Sequence, residues 1–317
     1  MTTSKKATQA KSFRITLPAT SANLGPAFDA AALAFDIYLR LEARSAADYL
    51  IQASGRDPDI CGKIQDHLIL DTYREVLQAA GQPAQPLVLK IANDIPIGKG
   101  CGSSAAARLG GIALANHYGR LRWSDEQIVG EASRREHHPD NASACWMGGL
   151  TVARMSGESV AQVARIRPKG KWPLLLAIPS DPLSTEEARR VLPPHYTRAD
   201  VVANIQNSML LLAAFTQGKP ELLKAALEDR IHQPYRAPLC PLLPALQELA
   251  GTPAILGAAL SGAGPSVLMF LDPRSAKPTK KIAANVAAYL KQRNLSAELL
   301  LTTIAEKGAA ATRSSKR

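Results

Sequence analysis

Cysteine is scarce in this chain: Cys61, Cys101, Cys145 and Cys240 lie far apart, and no two form a CxxC pair. That spacing argues against a disulfide frame or a zinc ribbon and predicts reduced thiols in a cytoplasm. Long apolar runs are missing as well. Stretches 174–178 and 208–215 are core-sized, well short of the ~18 residues of a membrane span. The first eleven residues are polar and basic with no apolar segment, so no secretory signal is expected. There is no internal repeat. Outside residues 12–306 there is no acid, and Lys5, Lys6, Lys11, Lys307, Arg313, Lys316 and Arg317 carry seven of the eleven net positive charges, leaving four for the body. So modest a body charge gives a nucleic-acid partner little to hold, and the polar ends, 1–11 and 305–317, are expected to be disordered tails. What remains is the balance of a globular protein: 317 residues, 46% apolar and 21% charged, enough for two domains.

The most informative run is Asp-Ile-Pro-Ile-Gly-Lys-Gly-Cys-Gly-Ser-Ser-Ala-Ala-Ala, residues 94–107. Alternating Gly98, Gly100 and Gly102 let successive N–H groups approach an anion, because no Cβ intervenes. Ser103 reads as an N-cap, and the alanine-rich run after it reads as a helix. A glycine loop emptying into a helix N-terminus favours phosphate through its unpaired N–H groups and the helix dipole. Lys99 adds a cation, and Ser103 and Ser104 add hydroxyls. A Walker A loop is ruled out because Lys99 precedes the last glycine, and the dinucleotide fingerprint lacks its third glycine where Ser103 stands. A plain glycine turn capping a helix is the competing reading.

Pro96 to Ala106 resembles the nucleotide-binding motif of the GHMP kinases, Pro-x-x-x-Gly-Leu-Gly-Ser-Ser-Ala-Ala, with Cys101 in place of the usual leucine or methionine. The resemblance implies ATP held by Pro96, Ile97, Gly98, Lys99, Gly100, Cys101, Gly102, Ser103, Ser104 and Ala105. Residues 18–29, Pro-Ala-Thr-Ser-Ala-Asn-Leu-Gly-Pro-Ala-Phe-Asp, resemble the first motif of the homoserine kinase members and place Asn23 and Asp29 on the amino-acid substrate. Ala27 and Ala32 stand where that group has glycine, and alanine would be strained there if φ is positive. Residues 136–141, Glu-His-His-Pro-Asp-Asn, resemble the same group's Glu-Gly-His-Pro-Asp-Asn. By that likeness Glu136, with Ser104, holds Mg²⁺, and Glu131 is the fallback. His138 and Asp140 line the substrate pocket, Asn141 faces the hydroxyl, and His137 replaces a glycine. Glu136, Asp140 and Asn141 are thus the expected catalytic set. Taken without the likeness, the stretch could also suggest a metal site, but Pro139 breaks the regular spacing that zinc ligands need. Segments 183–189 and 228–236 resemble further stretches of the group and offer Thr185, Arg189 and Arg236 to the substrate, since a guanidinium fork suits a carboxylate. Residues 260–268, with Gly262, resemble the third GHMP motif.

Strands are expected at 13–17, 34–43, 86–91, 147–154, 174–178 and 296–302. Helices are expected at 66–80, 123–135 (Ser124 capping, Gln127 three residues on), 183–193, 200–216, 220–227 and 281–290. The polar stretch 155–157 marks a domain boundary, giving a nucleotide-binding domain at 12–155 and a second domain at 156–304. The resemblance implies an α+β, two-domain GHMP kinase fold with a ferredoxin-like C-terminal half and the active site between domains. It implies an ATP-dependent transfer of phosphate to the hydroxyl of L-homoserine, with a homodimer left open. A mevalonate-type kinase and a non-catalytic regulator of the same fold are the competing classes. Arg189 and Arg236 with Asn23 and Asp29 fit a zwitterion better than mevalonate, two cations for a carboxylate and an acid for an ammonium, and the intact glycine–serine loop with Glu136 argues against a regulator.

Overall fold

The computed structural model describes residues 12–315. Its first sheet is built around one long strand. β1 (Ser12–Asn23) lies antiparallel along nearly all of β2 (Ala27–Ser45). The 39–45 half of β2 then pairs with β4 (Leu87–Asn93), which carries β3 (Leu50–Gly55) in parallel on its far edge. The 31–33 part pairs instead with β5 (Leu150–Met155), and β6 (Ala161–Ile166) adds to β5. A helical layer covers the sheet: Leu68–Ala79, Ser103–Tyr118, Asp125–Glu136 and Asp140–Met147. The Leu68–Ala79 helix buries Ile69, Leu70, Tyr73, Val76 and Leu77, an i, i+3/i+4 stripe in which each side chain contributes roughly 1.5–3 kcal/mol. The Ser103–Tyr118 helix is apolar on most sides and crosses close to it. A Cβ on Gly111 would lie 2.5 Å from the Ile69 carbonyl.

The second sheet runs β10–β7–β9–β8, all antiparallel, from β7 (Leu174–Ile178), β8 (Ile255–Leu260), β9 (Val267–Leu271) and β10 (Glu298–Thr302). With the helices Arg198–Gln217 and Thr279–Gln292 in the two connections, this is the βαββαβ order of a ferredoxin-like half. β7 and β9 are buried at every position. Their continuous apolar runs reflect cover on both faces.

Two sequence expectations are corrected. The boundary at 155/156 is not one, because 156–160 is a hairpin turn (Ser156 N to Val160 O, 2.8 Å) that sends β6 back onto β5. The chain leaves the first sheet only after Ile166. The disordered tail expected at 305–317 is, over 305–315, part of the first domain. Helix Ala309–Thr312 buries Ala309, and Thr312 Oγ1 donates to Thr16 O (2.7 Å) and accepts from Thr16 N (3.1 Å). Arg313 pairs with Asp125 at 3.1 Å, and β11 (Ser314–Ser315) adds an edge strand to β1. Gly308 passes so close to Gly148 that a Cβ on it would lie 2.3 Å from the Gly148 nitrogen. Small residues, not apolar ones, dock this segment, which is why its composition reads as a tail. The expected tail at 1–11 lies outside the described residues.

Candidate active site

The glycine loop leaves β4 through Asn93, whose side chain accepts from Ile95 N (3.1 Å) and donates to Ile95 O (2.9 Å). Gly98, Gly100 and Gly102 have φ of 69°, 74° and 71°, the left-handed region that other residues enter at a cost. Two of them also lack room for a side chain. A Cβ on Gly100 would sit 2.1 Å from Ser261 O, and one on Gly102 would sit 1.9 Å from Thr20 Oγ1. Gly102, not Ser103, is the N-cap of the Ser103–Tyr118 helix, and no side chain satisfies the first turn. The opening N–H groups are therefore free for an anion.

These residues form one wall of a cavity of about 420 Å³. Ile97, Gly98, Gly100, Gly102, Ser103, Ser104 and Ala105 line it. Three residues of the motif do not. The Lys99 ammonium donates to Ser180 O and, with Pro96, faces a neighbouring groove. Cys101 is buried, its Sγ donating to Lys99 O at 3.6 Å, and burial pushes the thiol up to about 12. Their part in the loop is backbone shape.

The Asp125–Glu136 helix starts with the expected capping box of Ser124 and Gln127. It ends where His137 turns left-handed at φ 66°, and this turn presents Glu136 to the cavity. Glu136 Oε1 accepts from Ser104 Oγ and from Arg108 Nε, both at 2.6 Å. Glu131 is instead held by Arg134 and Arg135 and does not line the cavity. Arg108 was not singled out from sequence, although its place one turn beyond Ser104 puts both on the same helix face.

Opposite charges converge on the rest of the wall. Asp140 Oδ1 accepts from His138 Nδ1 (2.6 Å) and from Asn141 N (2.5 Å). Burial works to lower the His138 pKa, but the Asp140 hydrogen bond and charge outweigh it, and the net shift is upward. Asn141 Oδ1 accepts from Thr20 Oγ1 at 2.7 Å, a role for Thr20 that its place in the 18–29 motif does not signal. One possible ligand atom from each of Asp29, His138 and Asp140 lies within 4.8 Å of the others. Asp29 is already paired to Arg189 Nη2 at 2.7 Å, and His138 to Asp140. Asn23 lines the cavity, but its amide works as a brace: Nδ2 donates to Gly262 O (2.8 Å) and Oδ1 accepts from Asp29 N (2.9 Å). Thr185, Arg189, Arg236 and Gly262 all line the cavity. Arg236 is 1% exposed and donates to Ala188 O (2.9 Å) and His232 Nδ1 (3.1 Å). Burial, then the neighbouring Arg189 charge, draw its pKa down to about 10. Both guanidiniums lie over the Phe28 ring, at 5.4 and 5.3 Å. Ile60, Leu68, Ile69 and Ile91 give the cavity an apolar lining, which the sequence does not mark because it is assembled from two helices and a strand. Neither Ala27 nor Ala32 has a positive φ, so the expected strain is absent.

Residues 67–149 match the family described as GHMP kinases N terminal domain, and residues 211–294 match GHMP kinases C terminal. A homoserine kinase of Solibacter usitatus is 38% identical over 95% of this chain and 97% of its own length. One from Synechocystis is 36% identical over 95% and 99%. The chain belongs to the GHMP kinases. It is an ATP-dependent phosphotransferase. The crystal structure of homoserine kinase from Cytophaga hutchinsonii shares the fold, with a TM-score of 0.80 at 21% identity over 99% of this chain and 100% of that one. The expected two-domain α+β fold is borne out, with the kinase's cavity lined from both halves. Among the described residues no helix is long and apolar enough to cross a membrane.

Proposed function

We propose that the chain is a homoserine kinase, moving the γ-phosphoryl of ATP to the side-chain hydroxyl of L-homoserine to give O-phospho-L-homoserine for threonine synthesis. One observation carries this reading: a single cavity holds both the glycine–serine cradle and the Asp29–Arg189 pair, 2.7 Å apart, with Arg236 beside it. An amino-acid zwitterion replaces that internal ion pair with two matched ones, its ammonium at Asp29 and its carboxylate at Arg189 and Arg236. Mevalonate has no ammonium, and would leave Asp29 and Asp140 facing a second acid. The likeness to the two bacterial homoserine kinases supports the same choice.

In this reading the N–H groups of 98–104 hold the phosphates of ATP, and the apolar wall at Ile60 and Leu68 takes the base. Asn141, fixed by Thr20, orients the acceptor hydroxyl in line with the γ-phosphorus, and His138 and Asp140 fill the pocket beside it. Transfer then depends on positioning and on stabilising charge, more than on a strong base. Ser104 Oγ and the Glu136 carboxylate are hard oxygen donors 2.6 Å apart at the cradle, a donor set that suits Mg²⁺. Bound there, the ion would neutralise charge on the phosphates. The four free thiols accord with a cytoplasmic setting. The deciding experiment is ADP release with homoserine, mevalonate and other small alcohols side by side. Preference for homoserine by orders of magnitude in kcat/KM is expected. Faster turnover of a substrate without an ammonium group would overturn the assignment.

A further inference from the structure

β1 and β11 pair antiparallel, with Phe13 opposite Ser315. Ser12 and Ser315 therefore lie at one sheet edge. Beside that edge is a hollow of about 450 Å³, remote in the fold from the glycine loop, at the C-terminal end of the Ser103–Tyr118 helix. Asn116, His117, Arg120, Arg122, Trp123 and Arg313 line it, and no carboxylate does. Arg313 is paired to Asp125 at 3.1 Å. Arg120 and Arg122 have no side-chain hydrogen bond or ion pair among the described residues.

The hollow is built, not merely left over. Asn116 Oδ1 accepts from Trp123 N at 2.9 Å and holds the 119–123 turn against the helix end. Within that turn Arg120 and Arg122 both have left-handed backbones, φ 53° and 59°. Glycine or asparagine would adopt this geometry at less cost, yet the turn keeps two arginines there, on one concave surface. A single cation would serve the helix C-terminus. That role explains neither the second arginine, nor Arg313 across the hollow, nor the flat wall given by Trp123.

We propose that this hollow binds a small anion bearing two or more phosphate or carboxylate groups, at a site separate from the nucleotide cavity. Guanidinium forks grip such groups bidentately, and a hollow of about 450 Å³ is on the scale of a compact ligand. The test is calorimetry with sodium tripolyphosphate at fixed ionic strength, on the full chain whose nucleotide cavity is saturated with a non-hydrolysable ATP analogue. One further site per chain is expected. In R120G/R122G, where glycine suits both left-handed positions and the fold is kept, that site should weaken at least tenfold. The melting temperature should not fall, because glycine relieves both left-handed positions, and the kcat and KM for homoserine should be unchanged, since neither arginine lines the active cavity. The proposal fails if the native chain shows no further site, or if the double variant binds tripolyphosphate as the native chain does. It fails equally if an oligonucleotide binds through Arg120 and Arg122 while tripolyphosphate does not.

Discussion

Ser104 and Glu136, 32 residues apart in sequence, meet at 2.6 Å, and Arg108 Nε reaches the same carboxylate oxygen at 2.6 Å. The carboxylate is thus pre-aimed at the first turn of the phosphate-binding helix. Glu136→Gln keeps the size but removes the charge a metal needs, so kcat should fall by orders of magnitude. Glu131→Gln should stay within a few-fold of the native rate, because Glu131 is occupied by Arg134 and Arg135 outside the cavity. Steady-state kinetics on both variants checks this, and the reverse ranking would move the role to Glu131.

The two arginines should behave differently when each becomes lysine. Arg189 is partly exposed and touches Asp29. Arg189→Lys should raise the KM for homoserine and leave that for ATP little changed. A lost charge-assisted bond is worth roughly 1.5–3 kcal/mol, or about ten- to a hundredfold in kcat/KM. Arg236→Lys should do the same and also lower the melting temperature, since the buried guanidinium holds Ala188 O and His232. Unchanged homoserine KM in both variants would mean that the carboxylate is held elsewhere.

His232 ties stability to acid pH. It is fully buried, Nε2 donating to Gly25 O at 2.7 Å and Nδ1 accepting from Arg236. Burial, against the pull of Asp229, depresses its pKa from 6.5 to about 4. A folded-state value below the unfolded one means that the unfolded chain binds the extra proton. This contribution is therefore present above about pH 6.5 and is lost as pH falls toward 4. Melting curves between pH 7 and 4 should be steeper for the native chain than for His232→Gln. Parallel curves would remove His232 from the account.

Cutting the chain after Lys307 should destabilise it. The lost segment includes buried Ala309, the Thr312 bonds to Thr16 and the Arg313–Asp125 pair. A loss of at least about 2 kcal/mol, seen as a drop of about 5 °C in melting temperature, is expected. An unchanged melting temperature would show the docking to be idle.

His137→Gly should stabilise by up to about 1 kcal/mol, because φ of 66° suits glycine and strains histidine. Denaturant unfolding measures this directly. Destabilisation would mean that the His137 side chain contributes contacts that outweigh the strain.

Local chemistry made much of this legible in the sequence. Alternating glycines, the Ser124–Gln127 box and the apolar runs of β7 and β9 are signals carried by neighbouring residues, and each was found. Arg108, Thr20 and the apolar lining at Ile60 and Leu68 act only through partners far along the chain. Lys99 misled for the opposite reason: a cation in a phosphate motif reads as a ligand until its neighbour across the loop, Ser180, is known. The C-terminal segment was misjudged because glycine and alanine dock it by fitting closely, and composition registers only apolar bulk.

The packing of Gly100 against Ser261 and Gly264 sets an order of events during synthesis. A ribosome delivers the glycine loop long before residue 261, and the N-terminal part of the chain folds first. Until the 260–264 loop emerges, the cradle lacks its outer wall, and Ser261 Oγ is not there to hold Gly100 O at 2.7 Å. The β1 edge waits longer still, for residues 314 and 315. A nascent chain, or one stopped before residue 261, therefore carries the phosphate motif without a finished nucleotide site.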